Sequence, residues 1–181
     1  TIAIGAYDAG TCGAVYVFRA SDGKQLAMLT ADDGAADDGF GYSVAIDGDT
    51  VVIGARFDDD GGLTSGSGYV FRTSDGGATY DQVAKLTATD AAAGDKFGIS
   101  VAVVGTTVVI GAYLDADGGS ESGSVYIFHT SDGGATYNQV AKLTASDAAA
   151  SDQFGYSVAI DGKTIVAGAP TTTTPALTRA R

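Results

Sequence analysis

The sequence predicts an all-β chain of β-propeller blades, four-stranded antiparallel units repeated every 57 residues, and three observations predict it. Phe40-Gly41, Phe97-Gly98 and Phe154-Gly155 recur at that spacing, and so do Gly54-Ala55, Gly111-Ala112 and Gly168-Ala169. A long regular period marks stacked supersecondary units. The apolar runs are short, rich in Val, Ile, Tyr and Phe, and bounded by Asp-Gly and Gly-Gly pairs, as strands are. Gly supplies 27 of 181 residues, a poor composition for helix.

The elements follow in order in the copy that opens at Phe40. Residues 42–46 read as a first strand, Asp47-Gly48-Asp49 as a tight turn and residues 50–55 as a second strand, because Asp-Gly between two apolar runs is a strong hairpin signal. Residues 56–66 form an acidic, Gly-rich loop, residues 68–72 a third strand, Ser74-Asp75-Gly76-Gly77 a turn, and residues 80–86 a fourth strand. Four short strands with small residues among large ones fit a propeller blade better than a solenoid coil. The aromatic pairs Tyr16/Phe18, Tyr69/Phe71 and Tyr126/Phe128 alternate along the third strand, as inter-blade packing requires.

The chain begins and ends in a second strand. It divides into a partial blade at 1–39, complete blades at 40–96 and 97–153, a partial blade at 154–170, and a Thr/Pro tail or linker at 171–181. Closed propellers use about four to eight blades, so the ring is expected to be incomplete here. The chain reads as a piece of a longer one, with more chain, another chain or open stacking into a fibre completing the array.

Phe40-Gly41-Tyr42-Ser43-Val44-Ala45, Val52-Ile53-Gly54-Ala55 and Gly68-Tyr69-Val70-Phe71 resemble the FG-GAP repeat of integrin alpha-subunit heads and related extracellular β-propellers, and Gly168-Ala169-Pro170 carries the full GAP. The resemblance runs through residues 1–170. Residues 73–80, Thr-Ser-Asp-Gly-Gly-Ala-Thr-Tyr, and their copy at 130–137 resemble the Asp-box hairpin of sialidase-like propellers. That likeness implies structural turns at Asp75 and Asp132, whose carboxylates are expected to accept backbone hydrogen bonds within their own turn. The FG-GAP likeness implies a non-enzymatic adhesion or scaffold module, extracellular or at the cell surface, that meets a protein or glycan ligand. One departure is informative: integrin-type repeats hold calcium in a longer Asp-rich loop between the first two strands. Here that connection is only Asp47-Gly48-Asp49, Val104-Gly105-Thr106 or Asp161-Gly162-Lys163. So short a turn cannot wrap a cation that takes about six to eight oxygens.

The net charge of −12 argues against nucleic acid or an anionic membrane as partner and favours cations or a basic surface. No apolar run approaches the roughly 18 residues that a membrane span needs, so no membrane insertion is expected. If the second-to-third and blade-to-blade connections share a face, that face holds 15 of the 22 acids, offset only by Arg56 and Lys96, a charge of −13. Asp58, Asp60, Asp115, Asp117 and Glu121 are the candidate metal ligands, with calcium as the cation, since Gly permits the sharp turn that hard-cation loops need. The competing reading is that these acids keep a strand-rich surface soluble and unpaired.

Catalysis is disfavoured. The only His, His129, sits where Arg72 and Arg19 sit in other copies, at a strand end. Every blade offers the same carboxylate pairs, whereas glycoside hydrolysis uses one specific pair. A sialidase-like hydrolase is therefore the remote alternative. The nearer one is a structural repeat that assembles with copies of itself into a filament or surface coat. Cys12, the lone cysteine, aligns with Ser65 and Ser122 and reads as a tolerated substitution.

Overall fold

The computed structural model describes residues 1–171; the remainder of the Thr/Pro tail lies outside the described residues. Among the described residues the chain is all-β without helix. The first sheet holds β1 (Ile2–Ala6), β2 (Ala14–Phe18) and β3 (Gln25–Leu29). The second holds β4 (Phe40–Asp47), β5 (Thr50–Ala55), β6 (Ser67–Arg72) and β7 (Asp81–Leu86). The third holds β8 (Phe97–Val104), β9 (Thr107–Ala112), β10 (Ser124–His129) and β11 (Asn138–Leu143), and the fourth β12 (Ser157–Asp161) and β13 (Thr164–Gly168). Each sheet is an antiparallel meander, and β4 packs beside β8 and β8 beside β12, so the sheets stand as blades in an arc that does not close.

Two local features extend the sequence reading. The first strands begin at the motif Phe rather than two residues later: Phe40 pairs with Ala55, and the register then slips before Ser43. The slip is a bulge centred on Gly41, whose φ of 90° suits a residue without Cβ. The same bulge opens β8. The two-residue turns at Gly48-Asp49 and Gly105-Thr106 then reverse the chain, Asp47 pairing with Thr50 and Val104 with Thr107.

The core lies between the sheets. Val51, Ile53, Tyr69 and Phe71 of the second sheet pack on Val15 and Val17 of the first, while Val52 and Val70 on its other side pack on Val101, Val108 and Ile110 of the third. Period-two alternation along β5 therefore buries both faces, and every residue of the strand is buried. Phe40 meets Tyr69 and Phe71 edge-on at centroid distances of 5.3 and 5.9 Å, and Phe97 repeats this against Tyr126 and Phe128. These ring contacts lie within one sheet, and the same phenylalanines also reach the neighbouring blade, Phe40 clustering with Val15 and Val17 of the first sheet and Phe97 with Val52 and Val70 of the second. At the ends of the arc, Ile2 and Ile4 are exposed on one side and Val166 on the other.

Candidate functional site

The loop of each sheet is tied to the connection entering the next. Gly94, Lys96 and Phe97 donate their N–H groups to the carbonyls of Leu63, Thr64 and Ser65, and Ser151, Gln153 and Phe154 do the same to Ser120, Glu121 and Ser122. The acidic loops and the acidic connections therefore meet on one side of the arc.

There the structure gathers Asp58 and Asp60 with Asp33 around the ammonium of Lys85. Lys85 Nζ donates to Asp33 at 2.6 Å, to Asp58 at 2.9 Å and to Asp60 at 2.5 Å, one carboxylate for each of its three protons. The copy is faithful: Lys142 Nζ donates to Asp90 at 2.7 Å, Asp115 at 2.9 Å and Asp117 at 2.6 Å. Tyr69 Oη lies 3.1 Å from Asp33 and 2.9 Å from Asp58 and shares its proton between them, as Tyr126 does for Asp90 and Asp115. Ser67 and Ser124 add hydroxyl donors to the buried Asp58 and Asp115.

The local sequence explains the convergence. Tyr69 and Lys85 are directly paired across β6 and β7, so the lysine stem runs along the phenol, with Nζ 5.2 Å from the ring centroid. Asp33 comes from the connection between the first and second sheets, so each cluster also clasps two neighbouring blades. Burial pushes the Asp58 carboxyl up, but hydrogen bonds from Lys85, the Asp60 N–H, Tyr69 and Ser67 outweigh it and hold it below the ordinary range. Burial opposes the charge of Lys85 too, and its three carboxylates reverse the balance and raise it.

This geometry corrects the charge count taken from the sequence. Lys85 and Lys142, left out of that count, reach the acidic loops from the outer strands, so 15 acids stand against four bases. Sequence reasoning missed them although a signal existed: both recur in register two strands from the acids. Asp90, Asp115 and Asp117 bring carboxylate oxygens within 4.8 Å of one another and could hold a metal ion by spacing alone, but the Lys142 ammonium contacts all three. With Lys142 in place the donor set does not fit calcium. Glu121 stands apart from that trio, exposed in a turn with a φ of 57°, where its carbonyl accepts from Gln153.

Asp75 and Asp132 occupy the opposite ends of the blades. Asp75 accepts from the N–H groups of Ala78 and Thr79, both at 2.9 Å, and from the hydroxyls of Thr73 and Thr79. Asp132 makes the same four contacts with Ala135, Thr136 and Thr130. His129 is exposed at the end of β10, paired across the ladder with Thr107.

A family model described as the FG-GAP repeat matches residues 24–71, 80–128 and 137–178, well over half of the chain. No match is found among curated proteins. Among solved structures, the Saccharomyces cerevisiae Sqt1 crystal structure is similar at 14% identity with a TM-score of 0.48, covering 81% of this chain and 32% of that one. The chain thus spans about a third of that protein's length.

Proposed function

This chain belongs to the FG-GAP repeat family, and from that membership we propose that it is a non-enzymatic module working outside the cell or at its surface, a stiff scaffold that presents the acidic loops of one face to a protein, glycan or cation. The supporting observation is the pair of lysine clusters. Each fixes a loop and a blade connection together, yet leaves Asp60 and Asp117 60% exposed. A rigid backbone with solvated carboxylates suits capture of a ligand without ordering cost. No helix among the described residues is long and apolar enough to cross a membrane. Under the same proposal the blade boundaries fall at 39/40, 96/97 and 153/154, and the hairpins at 73–80 and 130–137 are Asp-boxes that fix the far ends of the blades.

Probing the immobilised chain against arrays of matrix proteins and glycans, with Asp59→Asn/Asp60→Asn/Asp117→Asn beside wild type, tests this reading. A ligand lost in that variant but kept in Asp22→Asn, at a far-side turn, supports it. Ligands indifferent to the acidic loops would remove it.

A second reading, assembly with copies of itself, draws on the ends of the arc. Exposed Ile2 and Ile4 occupy the positions of Val51 and Ile53, and exposed Val166 that of Val109, all fully buried where sheets meet. Light scattering across concentration separates a monomer from a head-to-tail series.

A further inference from the structure

One loop breaks the repeat by its length. Seven residues, 7–13, join β1 to β2, whereas eleven join the corresponding strands of the second and third sheets, 56–66 and 113–123. In the longer loops Gly62 and Gly119 lie against the connections at Ala93 and Ala150, where an added Cβ would come within 3.2 and 3.3 Å of the backbone nitrogens. The short loop has no Gly-Gly pair. Ala36, the counterpart of Ala93, instead lines a cleft of about 500 Å³ walled by the first and second loops.

The walls of that cleft carry residues that the other copies lack. Asp59 stands where the third blade has Ala116, Asp37 where the others have Gly94 and Ser151, and Asp8 where they have Phe57 and Leu114. Leu63 stands in the place of Ser120. Among the described residues the Asp8 and Asp37 carboxylates make no ion pair or hydrogen bond, and Asp59 uses one oxygen to accept from the Thr64 N–H. No basic residue lines the cleft. Arg56 and Lys96 stack on the Phe57 ring, 4.3 and 4.2 Å from its centroid, and take no part in the lining. Both lysine clusters answer three loop carboxylates with an ammonium; here three carboxylates have none. Tyr7, 48% exposed, and Leu63, 71% exposed, supply apolar surface beside them.

We propose that the cleft binds a linear aliphatic polyamine, its ammonium groups answering Asp8, Asp37 and Asp59 and its methylene chain lying on Tyr7 and Leu63. Carboxylates without a resident base favour a cation over a neutral ligand. Spacing then chooses among cations. Among the described residues only Asp90, Asp115 and Asp117 bring three such ligand atoms within 4.8 Å, so the cleft carboxylates do not gather round one point. A metal ion, or a lysine side chain with one ammonium at the end of its stem, leaves some of them unanswered, whereas a polyamine spreads several charges along an apolar chain. The assignment rests on the acidic face meeting ligands, and names the ligand class at one of its junctions.

Titration of spermidine into the isotope-labelled chain, followed by side-chain NMR, is the test, at about 0.15 M salt, where diffuse attraction to surface charge is screened. Hexanediol, calcium and a trilysine peptide with blocked termini are the parallel probes. Saturable shifts at Tyr7, Asp37 and Leu63 are expected with spermidine, at least tenfold tighter than with any other probe. Asp37→Gly/Asp59→Ala installs the residues of the neighbouring copies and keeps the fold, and it should weaken spermidine at least tenfold. Asp117→Asn/Asp147→Asn removes as much charge from the same face outside the cleft and should leave the affinity unchanged. A margin under tenfold over any probe, a loss under tenfold in the first variant, or an equal loss in the second would each overturn the assignment. Absence of saturable shifts, beside array ligands that depend on Asp60 and Asp117, would overturn this site alone and leave the broader reading of the acidic face standing.

Discussion

Gly54 stands so close to Gly98 that a Cβ on Gly54 would fall on the Gly98 carbonyl oxygen. The same approach joins Gly5 to Gly41 and Gly111 to Gly155. The two halves of the repeat motif therefore meet across a blade boundary: the Gly-Ala of one blade receives the Phe-Gly bulge of the next. Ser43 fastens the contact, its Oγ donating to the Gly98 carbonyl at 2.8 Å.

Gly54→Ala and Gly111→Ala should each cost about 3 kcal/mol or more, because backbone rather than a side chain must move. Gly48→Ala is the control. Its φ is 53° and nothing lies within 4 Å, so only left-handed strain of about 1 kcal/mol applies. Urea unfolding ranks the three, and equal midpoints would contradict the blade contact.

Lys85, Asp58 and Ser67 should behave as one unit. In the first sheet their places are held by Met28, Ala9 and Ala14, as the pairing of Tyr16 with Met28 and Ala6 with Ala14 and the turn bond from Ala9 N–H to Ala6 show. The chain thus contains the cluster and its uncharged counterpart. Lys85→Met alone leaves Asp58, 3% exposed, without its ammonium and should cost about 2–3 kcal/mol. Lys85→Met/Asp58→Ala/Ser67→Ala should recover most of that loss. Additive losses in denaturant titrations would show that the residues act singly.

The repeat made the fold legible, since strand order and turn positions follow from Phe-Gly, Gly-Ala and Asp-Gly recurring in register. The strand starts were less legible because the bulge at Gly41 carries Phe40 into the ladder, a pairing that alternation alone does not reveal. The site was half legible. Asp58, Asp60, Asp115 and Asp117 stand out as loop acids, whereas Lys85 and Lys142 look like ordinary outer-strand lysines. Only the pairing with Tyr69 and Tyr126 aims their stems at the loops.

Acid should unfold the chain in a defined window. Asp75 is held below the ordinary aspartate value of 3.8 by the Thr79 N–H first and by the Thr73 and Thr79 hydroxyls. The Thr136 hydroxyl and N–H do the same for Asp132. For these depressed groups the unfolded chain takes up protons first as pH falls, so their stabilisation is present above 3.8 and is lost below it. Asp38 and Asp95, raised chiefly by burial, act oppositely and gain as pH falls toward 3.8. The melting temperature should hold or rise slightly on acidification to about pH 4 and drop below it. Asp75→Asn/Asp132→Asn should flatten the drop. A decline setting in near pH 6 would mean that other groups govern acid unfolding.

Lys142 should decide whether calcium binds. Its ammonium touches Asp90, Asp115 and Asp117 at 2.6–2.9 Å, in contact with every carboxylate a cation would use. A calcium ion needs about six to eight oxygens and must displace that ammonium to gather them. Calorimetry of the wild-type chain should therefore give little heat on adding calcium. Lys142→Met leaves three carboxylates with the Tyr126 hydroxyl and room for water, and calcium should then bind and raise the melting temperature. Lys142→Met combined with Asp115→Asn/Asp117→Asn should lose that response. Strong calcium binding to the wild-type chain, unaltered by Asp115→Asn/Asp117→Asn, would place the ion elsewhere and leave the lysine clusters as purely structural ties.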